Sequence, residues 1–375
     1  MTQTVVPVYR AALPRAEALL PYLQRIDANR WYTNRGELVA LLEARLGNML
    51  GGGPANVITA SSGTAAIEAA VLATAGPARP ERPLALLPAY TFVATASAVE
   101  RCGYVPYLLD VDPTTWTLVS ERLLGHPALE RAGVIVPVAP YGRAVAQAEW
   151  LAFQAQAQVP VVIDAAAAFE ALVTDPERYT GTIPVALSFQ ATKAFSTGEG
   201  GAVVWSSFAG LERVAQSLNF GMLYSRTSTA SGMNGKMSEY HAAVGLASLD
   251  TWDETCRANR AVAESYRLAA RTHGLTARLF VAPDVASNYA LLDAGSPGMA
   301  DDIAAALGTA QIGCRLWYGR GLHHEPYLHG AERDPLPETD RIAPSVVGLP
   351  IASDIAGTDI ERTIATAAHA LALRR

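Results

Sequence analysis

The 375-residue chain is 50% hydrophobic and 17% charged, with a formal net charge of −6. That is a core-forming composition longer than one ordinary domain, with no basic footprint for nucleic acid and no apolar run long enough to span a bilayer. The start, from Met1 to Pro7, lacks the pattern of a signal peptide, and Cys102, Cys256 and Cys314 are spaced neither as a metal site nor as a disulfide framework, so a cytoplasmic protein with free thiols is expected.

Strand-like apolar runs alternate with helical stretches. Residues 57–60 read as a strand before a helix-like run at 65–72, and 84–87 as a strand before 92–99. Further strands are expected at 107–111, 133–138, 159–164 and 202–205. Near-continuous apolar strands separated by helices predict an α/β fold with a mainly parallel central sheet flanked by helices. From about residue 237 the pattern stays helical to 271, and an amphipathic helix is expected at 360–373. The expected organisation is a large domain over 1–250 and a smaller C-terminal α+β domain over 251–375, bridged by a long helix. His323, His324 and His329 crowd one stretch, but without HExxH spacing or a cysteine partner, so no metal site is expected.

Only two of the 29 basic residues are lysines, Lys193 and Lys236; the other 29 − 2 = 27 are arginines. A codon bias toward arginine would leave lysines anywhere, so their surroundings decide. Lysine does what arginine does not: its amine can lose a proton and attack an aldehyde. Lys193 lies in a small, polar, glycine-rich stretch from Ser188 to Gly201, unlike a solvated helix face.

Ligands of parallel α/β sheets sit at the carboxyl ends of the strands. Ser61-Ser62-Gly63-Thr64-Ala65 joins a strand to a helix and offers amides and hydroxyls to a phosphate, although a plain helix cap explains Ser62 and Thr64 equally well. Asp164 ends an apolar strand and is followed by alanines; a carboxylate there is costly to bury without a cationic partner such as a pyridinium, the alternative being a helix cap. Ser188 and Thr192 bring hydroxyls beside Lys193, and Phe92 brings an aromatic face that could stack on a planar ring or simply fill the core. Together these suit pyridoxal 5'-phosphate, with a phosphate cup, a ring stack, a pyridinium partner and an aldehyde-binding lysine.

On these residues the chain resembles the DegT/DnrJ/EryC1/StrS family, pyridoxal-phosphate-dependent sugar aminotransferases of fold type I. The likeness runs through Tyr32-Thr33-Asn34-Arg35-Gly36, Ser62-Gly63-Thr64, the stretch from Pro88 to Thr95, Asp110-Val111-Asp112, Ile163-Asp164-Ala165-Ala166, the block around Lys193, Met233-Asn234-Gly235-Lys236-Met237-Ser238 and Gly348-Leu349-Pro350. The resemblance implies that Lys193 forms the internal aldimine, Asp164 pairs with the pyridine nitrogen, Phe92 stacks on the ring, and Gly63, Thr64 and Ser188 bind the phosphate. It also implies a homodimer in which Asn234 reaches the neighbouring subunit's phosphate. Tyr32, Asn34, Gln190, Lys236 and Arg315 are candidate substrate contacts, as are Tyr224 and Arg226; Lys236 could equally serve an interface or be an ordinary surface lysine. Three positions depart from the family pattern: Ala167 where many relatives have Gln beside the ring hydroxyl, Gln190 where many have His, and Glu37 where Pro is usual.

The reaction implied is ping-pong transamination, from an amino acid, L-glutamate, to a keto group of a nucleotide-linked deoxysugar. A dehydratase on the same fold would carry His in place of Lys193. A cyclitol or other non-sugar ketone acceptor stays open, as does a sensor that binds cofactor or amino sugar without turnover.

Overall fold

The computed structural model describes residues 5–53 and 55–373. Met1 to Thr4, which enter the signal-peptide reading, lie outside the described residues. Eleven strands are present among the described residues: β1 Val57–Ala60, β2 Leu84–Pro88, β3 Val105–Leu109, β4 Ala132–Ile135, β5 Ile163–Asp164, β6 Val185–Ser188, β7 Gly201–Val204, β8 Leu279–Phe280, β9 Leu291–Asp293, β10 Glu332–Arg333 and β11 Val346–Gly348. Two hydrogen-bonded groups, β1-β7-β6-β5 and β10-β3-β2-β4, are joined by parallel bridges between Ile135 and Val161 and between Val138 and Asp164. The spatial order is therefore β1-β7-β6-β5-β4-β2-β3-β10. Only β7 runs against its neighbours, so this is the mainly parallel sheet expected.

Both faces of the sheet are covered, which is why its strands read as unbroken apolar runs. Successive residues point to opposite faces: Leu84 and Leu86 enter one core with Leu42, Leu46, Trp150 and Phe153, while Ala85 and Leu87 enter the other with Ala66, Ala70, Val99 and Val214. The helix Gly63–Thr74 sits on the second face, and its alanines at 65, 66, 69, 70 and 73 let it approach the strands closely. The expected strand at 159–164 shrinks to β5 with an isolated bridge at Val161, because Pro160 has no N–H to give a ladder.

The second sheet, β11-β9-β8, is antiparallel and packs with helices Trp252–Thr272, Pro297–Thr309 and Gly357–Ala372 around Tyr266, Ile303 and Ile364. The single helical run expected at 237–271 is two helices, Glu239–Asp250 and Trp252–Thr272. Thr251 between them leaves the helical region (φ −111°, ψ 13°), and the Asp250 carboxylate is tied sideways to Tyr22 and Arg45. The boundary proposed at residue 250 falls at this break. Two segments cross it. Residues 6 and 9 bridge to Ile312 and Ile351 of the C-terminal core, and Leu322, Leu328 and Leu336 return to the large core, where β10 extends the main sheet. Among the described residues no helix is long and apolar enough to cross a membrane.

Candidate active site

A cavity of about 500 Å³ opens at the carboxyl ends of β2, β5 and β6 and the start of the helix Gly63–Thr74. Gly63, Thr64, Phe92, Asp164, Ser188, Gln190, Lys193 and Arg315 all line it.

Lys193 sits at the tip of the 188–200 loop, whose ends are pinned in the core. Phe195 stacks on Phe169 (4.7 Å between ring centroids) and meets Phe189 edge-on (4.9 Å). Lys193 N donates to Gln190 O and Ala191 N to Gly198 O, both at 2.8 Å, with Gly198 at φ +84°, where glycine is favoured. The Gln190 side chain turns back on this loop, its Oε1 accepting from Thr192 N at 2.9 Å. The two carbonyls before Lys193 are held from the C-terminal core and the N-terminal segment packed on it: Asn288 Nδ2 donates to Thr192 O (2.7 Å) and the Tyr9 hydroxyl to Ala191 O (3.4 Å).

Asp164 is 3% exposed, and its Oδ2 accepts from Thr95 Oγ1 at 2.7 Å while Oδ1 accepts from Ala166 N at 3.0 Å. Burial pushes its carboxyl above the usual carboxylate range; those two donors and the Lys193 charge pull it back. The helix-cap reading of Asp164 accounts only for the Ala166 contact. Ser62 does act as a cap, its hydroxyl accepting from Ala65 N at 3.1 Å. Beside it, a Cβ on Gly63 would lie 2.6 Å from Ser188 Cβ, so glycine is what lets the helix start close on β6. The amides there and the hydroxyls of Thr64 and Ser188 can bind a phosphate. Phe92 is 56% exposed while lining the cavity, so its ring is open to an occupant and does not fill the core.

Six candidates, Tyr32, Asn34, Tyr224, Arg226, Asn234 and Lys236, lie outside the lining of this cavity. Lys236 Nζ donates to Asn219 Oδ1 (3.0 Å) and Asn234 Oδ1 (2.9 Å) and stands 4.6 Å over the Phe220 ring. Burial pushes its amine below the ordinary lysine value. Tyr32 stacks on Tyr240 (6.3 Å, 15°), and Asn34 takes a left-handed φ of +62°. Trp31, Tyr32, Phe220, Tyr224 and Tyr240 are all exposed. Tyr224 bonds to Glu212. The exposed Asp340 has its Oδ1 2.7 Å from Nε2 of the buried His323 and 3.6 Å from Nε2 of the exposed His324.

Sequence reasoning missed Thr95, which holds Asp164, and the cavity wall formed by Tyr289, Trp317 and Tyr318. The Thr91-x-x-x-Thr95 spacing, whose hydroxyls lie 3.1 Å apart, was the one available hint for Thr95. The aromatic wall comes from a stretch with no strand-end signature.

A lysine amine, a buried carboxylate and a hydroxyl-lined cup converge at the carboxyl edge of a mainly parallel sheet, and fold and site together define a pyridoxal-phosphate-dependent aminotransferase of fold type I. A family model, the DegT/DnrJ/EryC1/StrS aminotransferase family, matches residues 15–367, and the chain belongs to that family. Protein Rv3402c of Mycobacterium tuberculosis (strain ATCC 25618 / H37Rv) is 32% identical over 97% of this chain and 90% of its own length. The dTDP-4-amino-4,6-dideoxy-D-glucose transaminase of Shigella dysenteriae is 28% identical over 94% of this chain and 96% of its own. DesI, solved in the presence of its TDP-sugar product, superposes with a TM-score of 0.84 at 28% identity, covering 99% of this chain and 94% of that one. The cofactor is pyridoxal phosphate, and the residues fit it. Asp164 is a buried carboxylate that feels the Lys193 charge, and Ser62, Gly63, Thr64 and Ser188 line the same cavity.

Proposed function

We propose that this enzyme moves an amino group from L-glutamate to a keto group of a nucleotide-linked deoxysugar. The single observation that carries the reading is the meeting of Lys193 and Asp164 in one cavity with the Gly63–Ser188 cup. The acceptor class rests on relatives named as dTDP-sugar transaminases and on DesI with its TDP-sugar product.

Bound pyridoxal phosphate supplies an electron sink that labilises bonds to the substrate's amino-bearing carbon. The chain's residues do the rest. Gly63, Thr64 and Ser188 would hold the phosphate, and Phe92 would stack on the ring. Asp164, oriented by Thr95, would keep the proton on the ring nitrogen. Lys193 Nζ would hold the cofactor's aldehyde and, as a free amine, would take up and return a proton at the substrate's amino-bearing carbon. Gln190 braces the lysine loop. Arg315, 5.2 Å from the Trp317 ring at the cavity wall, offers a cation to a substrate carboxylate or phosphate.

The same reading makes the enzyme a cytoplasmic homodimer. The exposed aromatic face around Tyr32, Phe220 and Tyr240 forms the contact, and Asn234 and Lys236 of each chain face the partner's site. Exposed aromatics and an asparagine–lysine network outside the cavity support this.

Borohydride reduction of the loaded enzyme followed by peptide mapping tests the lysine assignment: the label is expected on the Lys193 peptide, and Lys193→Ala is expected to abolish turnover. A label elsewhere, or a fully active variant, overturns it. Glutamate should bleach the visible band, and keto-sugar nucleotides added one at a time should restore it only when they are acceptors.

A further inference from the structure

The cavity wall holds a group without a role in the account above. Ala139, Ala166 and Ala167 present only methyl side chains to the cavity, and the polar groups that complete this wall come from the 289–318 region. On pyridoxal phosphate the ring oxygen is attached beside the aldehyde, across the nitrogen–aldehyde axis from the phosphate arm. With Asp164 at the nitrogen, Lys193 at the aldehyde and the phosphate at Gly63 and Ser188, that oxygen faces the wall opposite the cup.

Four side chains from that region line the cavity and could donate a hydrogen bond: Tyr289, Arg315, Trp317 and Tyr318; Arg315 is exposed, its guanidinium 5.2 Å from the Trp317 ring, and is left to a substrate anion. Trp317 Nε1 abuts Gly348, where a Cβ would come within 2.2 Å, and so faces β11. Tyr289 interacts electrostatically with the Tyr9 hydroxyl, which bonds to Ala191 O at the lysine loop. Tyr318 lines the cavity with its hydroxyl fixed by a backbone donor, and its phenol feels the Asp164 charge.

The Tyr318 hydroxyl is held in a defined orientation. It accepts a hydrogen bond from Tyr141 N at 3.0 Å, and the two rings stack at 4.4 Å and 21°. Tyr141 in turn lies 3.2 Å from Tyr90, hydroxyl to hydroxyl. To present its N–H this way, Tyr141 adopts a left-handed backbone (φ +53°) followed by Gly142 at +87°. Strain of this kind in a non-glycine residue persists where the surroundings enforce it and gathers at functional sites. Because Tyr318 accepts from Tyr141, its own proton is left to donate, and among the described residues it has no acceptor. Burial pushes the phenol well above its ordinary value, so it stays a neutral donor.

We infer that Tyr318 is a cofactor-contacting residue that donates its phenolic proton to the ring oxygen of pyridoxal phosphate; this rests on the cofactor placement proposed above. Donation draws negative charge off that oxygen, which lies next to the nitrogen linking Lys193 to the cofactor. Without the donor, the oxygen holds the linking nitrogen's proton more tightly.

The test uses loaded wild type and Tyr318→Phe. The visible band is titrated with pH, and its midpoint is expected to move up by roughly one pH unit in the variant. In parallel, both apoproteins are titrated with pyridoxal phosphate and with its analogue lacking the ring oxygen. Wild type should favour the natural cofactor by roughly tenfold, and the variant should bind the two within about threefold of each other. A purely structural role for Tyr318 would weaken both ligands alike and leave the preference intact, which overturns the inference. If the variant takes up no cofactor, the wild-type preference decides, and equal affinities overturn it. Borohydride labelling of wild type separates the two levels. No label on Lys193 overturns the cofactor reading, whereas a labelled Lys193 with an unmoved midpoint and preference in the variant overturns only Tyr318.

Discussion

Thr95→Val removes one hydroxyl and keeps the side chain's shape. Thr95 is 1% exposed, and its Oγ1 lies 2.7 Å from Asp164 Oδ2. Asp164 keeps Ala166 N at 3.0 Å and the nearby Lys193 charge. A hydrogen bond to a charged group contributes about 1.5–3 kcal/mol. That stabilisation belongs to the ionised carboxylate, the form that pairs with a protonated ring nitrogen. Its loss should weaken cofactor affinity by roughly 10- to 150-fold, at about 1.4 kcal/mol per tenfold. The Thr91 hydroxyl, 3.1 Å from Thr95 Oγ1, loses a neighbour too, but it can turn to other acceptors. The assay is titration of apoprotein with pyridoxal phosphate, followed by absorbance, with Thr95→Ser as the control that keeps the donor. Wild-type affinity and turnover in Thr95→Val would refute the role given to this hydroxyl.

Gly63→Ala sets a Cβ 2.6 Å from Ser188 Cβ and 3.1 Å from its Cα, so β6 and the helix start must part. Overpacking of this kind costs roughly 1–3 kcal/mol, and both the melting temperature and phosphate affinity should fall, as calorimetry and inorganic phosphate competition would show. Asp164→Asn should stabilise the apoprotein at neutral pH by about 0.5–2 kcal/mol while destroying activity. The sign follows from the raised carboxyl. The folded chain binds that proton more tightly than the unfolded one, so the ionised group weakens the empty fold at every pH above the raised value. The penalty vanishes below the ordinary carboxylate value, and the wild-type–variant difference in apoprotein melting should close over that interval as pH falls. Glu239, buried, accepts from Leu38 N (2.7 Å) and Val39 N (3.1 Å) at the start of the helix Glu37–Met49. Glu239→Ala leaves both amides unpaired, about 1–3 kcal/mol each, and denaturant unfolding should register the loss.

The main sheet was legible because burial on both faces leaves a plain trace: runs such as 84–87 have no polar residue to place. β10 left no such trace, since Glu332 and Arg333 are exposed at the sheet edge, where Glu332 also pairs with Arg131. The break at Thr251 was hidden because a helical pattern continues through it on both sides. Within the site, Lys193 and Asp164 stood out by rarity and by contrast with their apolar surroundings. Thr95 did not, for threonines at helix starts are common and usually cap. Tyr318 could not be found from sequence, because what matters is its distance to Tyr141, 177 residues away. Tyr32, Asn34, Asn234 and Lys236, which the family resemblance grouped with the site, do not line the cavity of their own chain.

The carbonyls of Ala191 and Thr192 are gripped by Tyr9 and Asn288, side chains anchored outside the sheet that carries Asp164. The loop that carries Lys193 therefore has two supports, the sheet that holds its ends and the side chains of Tyr9 and Asn288, whereas Asp164 is held by the sheet and by Thr95. Tilting one support against the other changes the gap between the amine and the carboxylate before any group in the cavity itself is altered. Surface changes near position 9, including an affinity tag upstream of it, are thus mechanically linked to the chemistry.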